Sequence, residues 1–311
     1  MILKKFNPHL ICCKNVRYFS NTTSKQILGF DPINLNYAIN SPNPQKLSPE
    51  SSKNKSIKNI VILHGLFGSL VNWRTIAQKL SDETNTNVIT VDQRNHGVSP
   101  HTKEMSYDLM AKDLEMLISK NNLEKCCVIG HSMGGRVAMN SALFHPDIME
   151  RLIVVDVSPS NFQNPTINGF KVYMEGMNSM DMSKIKVRSD ADRFLESFVP
   201  DKGVRQFLLT NLQLGDNDQY YWKNNIPSLL ANISNISLFP VPSDNPQNLQ
   251  FTKPTLFIRG EKSPYIQDRD TPIIKSFFPH SQITTIPNAG HWVHADDPKS
   301  FLKITSEFIN K

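Results

Sequence analysis

Cys126-Cys127-Val128-Ile129-Gly130-His131-Ser132-Met133-Gly134-Gly135 is the stretch that decides the fold. It opens as an apolar run and closes as a turn with glycine on either side of a serine. Residues 136–144 then continue in the manner of a helix. A strand that passes so directly into a helix holds its central residue in a strained conformation. The flanking glycines leave room for it, because they bring no Cβ against neighbouring backbone. Ser132 would then present its hydroxyl at the start of a helix. The pentapeptide alone occurs by chance; the strand–turn–helix setting gives it weight.

Similar apolar runs flank this unit at 60–63, 88–91, 152–155, 256–258 and 283–286, with a further short strand candidate at 35–39. Short, fully apolar runs suit parallel strands whose two faces are both covered by helices. Helical patterns fall between them. Ser106 can cap a helix in which Met110, Leu114, Leu117 and Ile118 form one buried stripe. Pro298, directly after Asp297, starts a terminal helix where its missing N–H costs nothing. The alternation predicts an α/β architecture, a mostly parallel central sheet with helices on both faces. Residues 40–59 are rich in Pro, Ser, Asn and Lys and read as a solvated loop. Between 158 and about 252 no strand-like run is evident. That segment carries Met174, Met177, Met180 and Met182 and many aromatics. It is far longer than an ordinary βα loop. The expectation is one domain over 31–311 with a helical lid inserted at about 159–252.

Composition narrows the class. The chain has 311 residues, a formal charge of +6, 39% hydrophobic and 20% charged residues. This is a globular mixture, unlike disordered, collagenous or coiled-coil chains. No apolar run approaches the ~18–20 residues needed to span a bilayer. The four cysteines fall in two adjacent pairs, Cys12-Cys13 and Cys126-Cys127, which match neither a disulfide framework nor a zinc site. Positive charge gathers at the start. Residues 1–30 carry Lys4, Lys5, Lys14, Arg17 and Lys25, and the first carboxylate is Asp31. This is the composition of a mitochondrial transit peptide, so a mitochondrial location is expected. Arg17-Tyr18-Phe19-Ser20 resembles a matrix-protease site. Cleavage after Phe19 would remove four positive charges and leave +2. The basic balance is then an address and not a nucleic-acid footprint.

A serine hydroxyl needs a base, and the base needs an orienting partner. His291 follows the last strand candidate, in Asn288-Ala289-Gly290-His291-Trp292, at the sheet edge where Ser132 stands. Among nine histidines this placement selects it. His294 reads as structural, while His64, His96 and His131 read as residues that orient backbone. The acid is less obvious. In Arg259-Gly260-Glu261-Lys262-Ser263, after the penultimate strand candidate, Ser263 stands where an aspartate is expected. Asp156 instead closes the 152–155 run, beside the strand that bears Ser132. A carboxylate ending an apolar strand requires a partner. Asp156 is favoured over Glu261, Asp268 and Asp270, which remain alternatives. His64-Gly65-Leu66-Phe67-Gly68 supplies a loop whose Leu66 amide, with that of Met133, can serve as an oxyanion hole.

Taken together, Leu63-His64-Gly65-Leu66-Phe67-Gly68-Ser69 with Asn72-Trp73, Asp92-Gln93-Arg94-Asn95-His96-Gly97, Gly130-His131-Ser132-Met133-Gly134-Gly135, Val155-Asp156-Val157-Ser158-Pro159 and Gly290-His291-Trp292 resemble the α/β-hydrolase superfamily. The Val-Asp-Val-Ser-Pro segment and the missing later acid resemble a mitochondrial serine-hydrolase subgroup that includes the fungal ethanol acetyltransferases. The resemblance implies a triad of Ser132, Asp156 and His291. It implies an alcohol acetyltransferase that makes ethyl acetate from acetyl-CoA and ethanol and hydrolyses esters and thioesters when alcohol is scarce. A mitochondrial esterase or thioesterase without transferase activity is the alternative, since such hydrolases share every segment quoted. No cofactor or metal is expected, acetyl-CoA being a substrate. The expected partners are a small-molecule acyl donor with an alcohol or water, without nucleic acid or a membrane-spanning segment. Lys184, Lys186 and Arg188, with Arg193 nearby, form a basic cluster that would suit the phosphates of CoA; such clusters are more often simply solvated.

Overall fold

A computed structural model describes residues 16–19, 31–46, 56–162, 164–241, 245 and 248–311. Its elements begin with β1 (Val16–Phe19), β2 (Asn36–Asn40), β3 (Asn59–Leu63), α1 (Leu70–Thr84), β4 (Asn87–Asp92) and α2 (Tyr107–Lys120). β5 (Cys126–His131), α3 (Met133–Phe144) and β6 (Arg151–Val155) follow. The insert contains α4 (Asn164–Ser179), α5 (Arg188–Leu195), α6 (Lys202–Leu209), β7 (Leu212–Leu214), β8 (Tyr220–Trp222), α7 (Ile226–Ala231) and α8 (Ile233–Ser237). The chain ends with β9 (Thr255–Gly260), α9 (Thr271–Phe277), β10 (Ser281–Ile286), α10 (Val293–Asp296) and α11 (Pro298–Asn310).

Eight strands form one sheet in the order β1-β2-β4-β3-β5-β6-β9-β10. β1 and β2 join antiparallel, and every pairing from β4 to β10 is parallel. Apolar side chains alternate between the two faces with the period of a strand. Ile60, Ile62, Cys127, Ile129, Ile153 and Val155 pack with Trp73, Ile76 and Phe301 of α1 and α11. Val61, Leu63, Cys126, Val128, Leu152 and Val154 pack on the opposite side with α2 and α3, in a core that continues into the insert. The doubly covered strands thus explain why the runs in the sequence are apolar throughout. Ser106 caps α2 by accepting the Leu109 amide, as its position suggests. Asp297 caps α11, with Pro298 in its first turn.

The sheet edges are less legible. β1 lies inside the segment read as a leader, and cleavage after Phe19 would take it away and leave β2 at the edge. Cys12 and Cys13 and most of residues 1–30 lie outside the described residues. The insert also departs from an all-helical expectation. β7 and β8 form an antiparallel hairpin closed by the turn from Gly215 to Gln219. Three-residue strands are too short for alternation to show. Among the described residues no helix is long and apolar enough to cross a membrane.

Candidate active site

β5 ends at His131, and α3 begins at Met133, so Ser132 alone makes the turn between them. Its φ of 52° and ψ of −117° are strained for a residue with a side chain. The glycines on either side make this possible. A Cβ on Gly134 would lie 2.5 Å from the carbonyl oxygen of Leu63, and one on Gly130 would collide with the carbonyl of Gly134. Ser132 is fixed through its amide, which donates to Val155 O at 3.0 Å. The cost of the strain is borne by the packed sheet around it.

The neighbouring strand supplies the acid. Asp156 follows β6 directly, also at positive φ (53°), and is fully buried. Its amide donates to Ile258 O at 2.8 Å. Three donors converge on its carboxylate: His291 Nδ1 at 2.7 Å, the Gly260 amide at 3.2 Å, and the Ser263 hydroxyl. A buried carboxylate is tolerated only when its lone pairs are satisfied in this way. The aspartate expected after β9 is absent because that loop delivers Ser263, a donor to Asp156. The other acids are used elsewhere. Glu261 accepts the Asn288 amide, Asp268 pairs with Arg259, and Asp270 accepts the Gln267 amide.

His291 sits on the loop after β10. Tyr265 lies against its ring, with centroids 4.1 Å apart. His131 Nε2 reaches the His291 carbonyl at 2.9 Å, and the Gly290 amide donates to Asp296 at 2.7 Å. Burial holds His131 well below the ordinary histidine range, and the nearby His291 and His294 act in the same direction. Neutral His131 therefore donates from Nε2. His294 is stacked on Trp73, with centroids 3.9 Å apart, and burial lowers it to about 3. It is a core residue, as its position suggested.

Across the cavity, the loop after β3 is held by two more neutral histidines. Burial lowers His64 to about 4 and His96 to about 3. His64 Nε2 accepts the Gln93 amide at 3.0 Å, so its Nδ1 carries the proton and donates to Gly65 O at 2.8 Å. Gly68 N also donates to Gly65 O, at 2.9 Å. A planar trans peptide with its carbonyl pinned on one side aims its N–H to the other. The Leu66 amide is that N–H. His96 Nε2 accepts the Phe67 amide at 3.2 Å. Met133 is the first residue of α3, so its amide has no intrahelical acceptor, and the positive end of the helix dipole adds to it.

Ser132 and His291 line one cavity of about 470 Å³ with Leu66, Phe67, Trp73, Phe170, Tyr173, Phe207, Tyr265 and Trp292. Burial pushes the Tyr265 hydroxyl up to about 12. The structure forms the His291–Asp156 bond; no hydrogen bond joins Ser132 to His291 among the described residues. Such bonds commonly tighten only when substrate is present. The basic cluster is not brought here. Lys184 pairs with Asp181 at 3.2 Å, and Arg193 faces Asp190 at 4.0 Å. Arg188 donates to the carbonyls of Leu209 and Leu212, a bond within the insert. The Lys186 amide donates to Asp190. None of Lys184, Lys186 or Arg188 lines the cavity. No group of three or more His, Cys, Asp or Glu among the described residues is arranged to hold a metal ion.

A doubly wound sheet, a serine on its strand–helix turn, and a histidine bound to a buried acid define an α/β hydrolase. The chain belongs to the alpha/beta hydrolase fold family, whose sequence profile matches residues 58–298. It is 38% identical over 301 residues to a Danio rerio protein named sn-1-specific diacylglycerol lipase ABHD11, covering 96% of this chain and 89% of the relative. It is 33% identical over 298 residues to a Saccharomyces cerevisiae protein named probable alcohol acetyltransferase, covering 90% and 84%. Among solved structures, a marine microorganism esterase is 38% identical with a TM-score of 0.79, covering 89% of this chain and 99% of that one.

Proposed function

We propose that the protein hydrolyses carboxylic esters through an acyl group carried on Ser132. One observation supports this above others: the 2.7 Å contact between the buried Asp156 and Nδ1 of His291, whose ring lines the cavity that Ser132 shares. With Nδ1–H committed to Asp156, His291 Nε2 is the acceptor for the serine proton. Ser132 Oγ attacks the ester carbonyl, and the Leu66 and Met133 amides receive the negative oxygen. Oriented donors of this kind contribute about 3–4 kcal/mol each to transition-state stabilisation in enzymes where one has been removed. His291 then gives its proton to the departing alcohol. Water, activated by the same nitrogen, releases the acid. The lipase and esterase relatives support hydrolysis.

Acetyl transfer from acetyl-CoA to an alcohol is the second reading, and the yeast relative favours it. Transferase and hydrolase differ only in whether alcohol or water reaches the acyl-serine. The test is product analysis with acetyl-CoA or an acetate ester, each with and without ethanol. Free acid alone, at any ethanol level, supports the hydrolase; ethyl acetate that rises with ethanol supports the transferase. Ser132→Ala lowers either turnover by about a thousandfold or more. Unchanged turnover in that variant overturns both. The mitochondrial address is a separate proposal, tested by whether residues 1–30 carry a fluorescent protein into mitochondria.

A further inference from the structure

Ser132 lines two spaces. Beside the large cavity lies a chamber of about 10 Å³, room for one water-sized group. Ser132, Leu66 and Phe170 face both spaces. His291 lines only the large cavity, and Met133 only the chamber. We infer that the chamber receives the acyl group and the large cavity the alcohol, so that the preferred substrates are short-chain acyl esters of a bulky apolar alcohol.

The inference rests on the acyl-serine reading and follows from the geometry of its tetrahedral centre. As the bond from Ser132 Oγ to the acyl carbon forms, that carbon carries Oγ, the oxyanion, the alcohol oxygen and the acyl chain. The oxyanion lies between the Leu66 and Met133 amides. The carbon–oxygen bond to the alcohol breaks as His291 hands over the proton it took from Ser132, so the alcohol lies on the His291 side. The acyl chain is left with the side away from His291, where Tyr107, Phe162, Ile233 and Ile236 join Met133 around the chamber.

The walls there resist expansion. Tyr107 donates its hydroxyl to Ile236 O at 2.7 Å. Arg136 donates to Ser237 O at 3.0 Å, and its guanidinium lies 3.5 Å from the centre of the Phe162 ring. Ile233 closes the space from α8. The large cavity is different in kind. Aromatic and aliphatic side chains dominate it, and among the described residues no lysine or arginine lines it and Asp296 is its single carboxylate. Such walls suit an uncharged, apolar alcohol.

Two ester series test this. In the first the alcohol is held at 1-naphthol while the acyl group lengthens from acetyl through butyryl and hexanoyl to decanoyl. In the second the acyl group is held at acetyl while the alcohol grows from ethanol through butanol to 2-(1-naphthyl)ethanol, alkanols of similar leaving ability. The expected kcat/KM falls about tenfold or more from acetyl to hexanoyl and rises with alcohol size. Ile233→Ala, or the milder Ile236→Val, raises the hexanoyl-to-acetyl ratio severalfold and leaves the alcohol series in the same order. A wild-type optimum at hexanoyl or decanoyl overturns the assignment, and so does a variant that reorders the alcohol series alone. Absence of hydrolysis of every ester is a different failure, that of the acyl-serine reading itself. The wild-type series needs no variant to fold.

Discussion

Residues 211–237 and residues 164–209 are the two halves of the insert, and they meet the body by different forces. The later half is tied down by directional hydrogen bonds to the loop after β4. Asn225 N donates to Asn95 O at 3.0 Å, and Asn95 Nδ2 to Ser228 Oγ at 3.1 Å. Asn232 donates to Lys103 O at 2.7 Å and accepts the Met105 amide at 3.2 Å. Asn211 reaches Phe67 O at 2.6 Å, beside the proposed oxyanion donor. The earlier half has no such bond to the body among the described residues. Its polar groups bond within the insert, as Arg205 does to Asp192, Val199 O and Pro200 O. It meets the body through rings: Phe170 with Phe67 at 6.5 Å and Phe207 with Trp292 at 5.2 Å.

Phe170 apart, which faces both, that division maps onto the two spaces around Ser132. Every insert residue lining the large cavity comes from the earlier half, from Pro165 to Leu208. Ile233, Ile236 and Ser237 of the later half wall the chamber. A ring contact is worth about 0.5–1.5 kcal/mol beyond its buried area and leaves no polar group unsatisfied when it parts, whereas a broken buried hydrogen bond leaves unsatisfied groups. The alcohol side is thus built to adapt and the acyl side to hold its size.

The largest expected effect comes from cutting the tied half loose. Asn232→Ala leaves Met105 N without its partner and Lys103 O with the Ser228 hydroxyl alone. One buried amide left unsatisfied, with a second bond lost at Lys103 O, costs about 2 kcal/mol. Urea unfolding should register that drop, and discrimination against hexanoyl esters should weaken with it. If stability falls and discrimination is untouched, the hydrogen bonds hold the fold without setting the chamber.

The sequence made this difference hard to see. The doubly covered strands were legible because burial on both faces leaves a continuous apolar run, as at 60–63 and 152–155. Ser132 and His291 were legible because each occupies a fixed place at a strand end. The asparagines were not. Asn95, Asn225 and Asn232 look like solvated loop residues, and the bonds joining them span some 130 residues of chain. In the sequence Ser263 marks only the place of a missing acid, and the folded loop turns it toward Asp156. The chamber walls, Tyr107, Phe162 and Ile233, share no local pattern at all.

Acid sharpens the comparison from the body's side, because residues 159–252 contain no histidine. His64, His96, His131 and His294 are all lowered by burial. Unfolded, each titrates near 6.5. Between that value and the folded one, the unfolded chain binds the extra proton. Stability therefore falls as pH drops below about 6.5, and for His64, His96 and His294 that contribution is gone below about 3 to 4. Each histidine adds at most about 1.4 kcal/mol per pH unit to that slope. His294→Phe keeps a ring against Trp73 and removes one titrating group, so its slope between about pH 6 and 4 should be shallower by up to that amount. An equal slope in the variant would mean that His294 does not titrate on unfolding in this range.

The smallest effect should come from the loosely held half. Phe207 is half-buried and packs on Trp292 across the cavity mouth. Phe207→Ala removes one exposed-edge ring contact worth about 1 kcal/mol, so global stability should barely move. Local behaviour should move more. Amides of 164–209 should exchange faster with solvent than in the wild type, while those of 211–237 keep their rates. KM for naphthyl acetate should rise a few fold, with the acyl-length ratio unchanged, because the ring faces the alcohol side alone. A matching acceleration in 211–237 would mean that the two halves open as one unit, and the separate tuning of acyl and alcohol sides would fall with it.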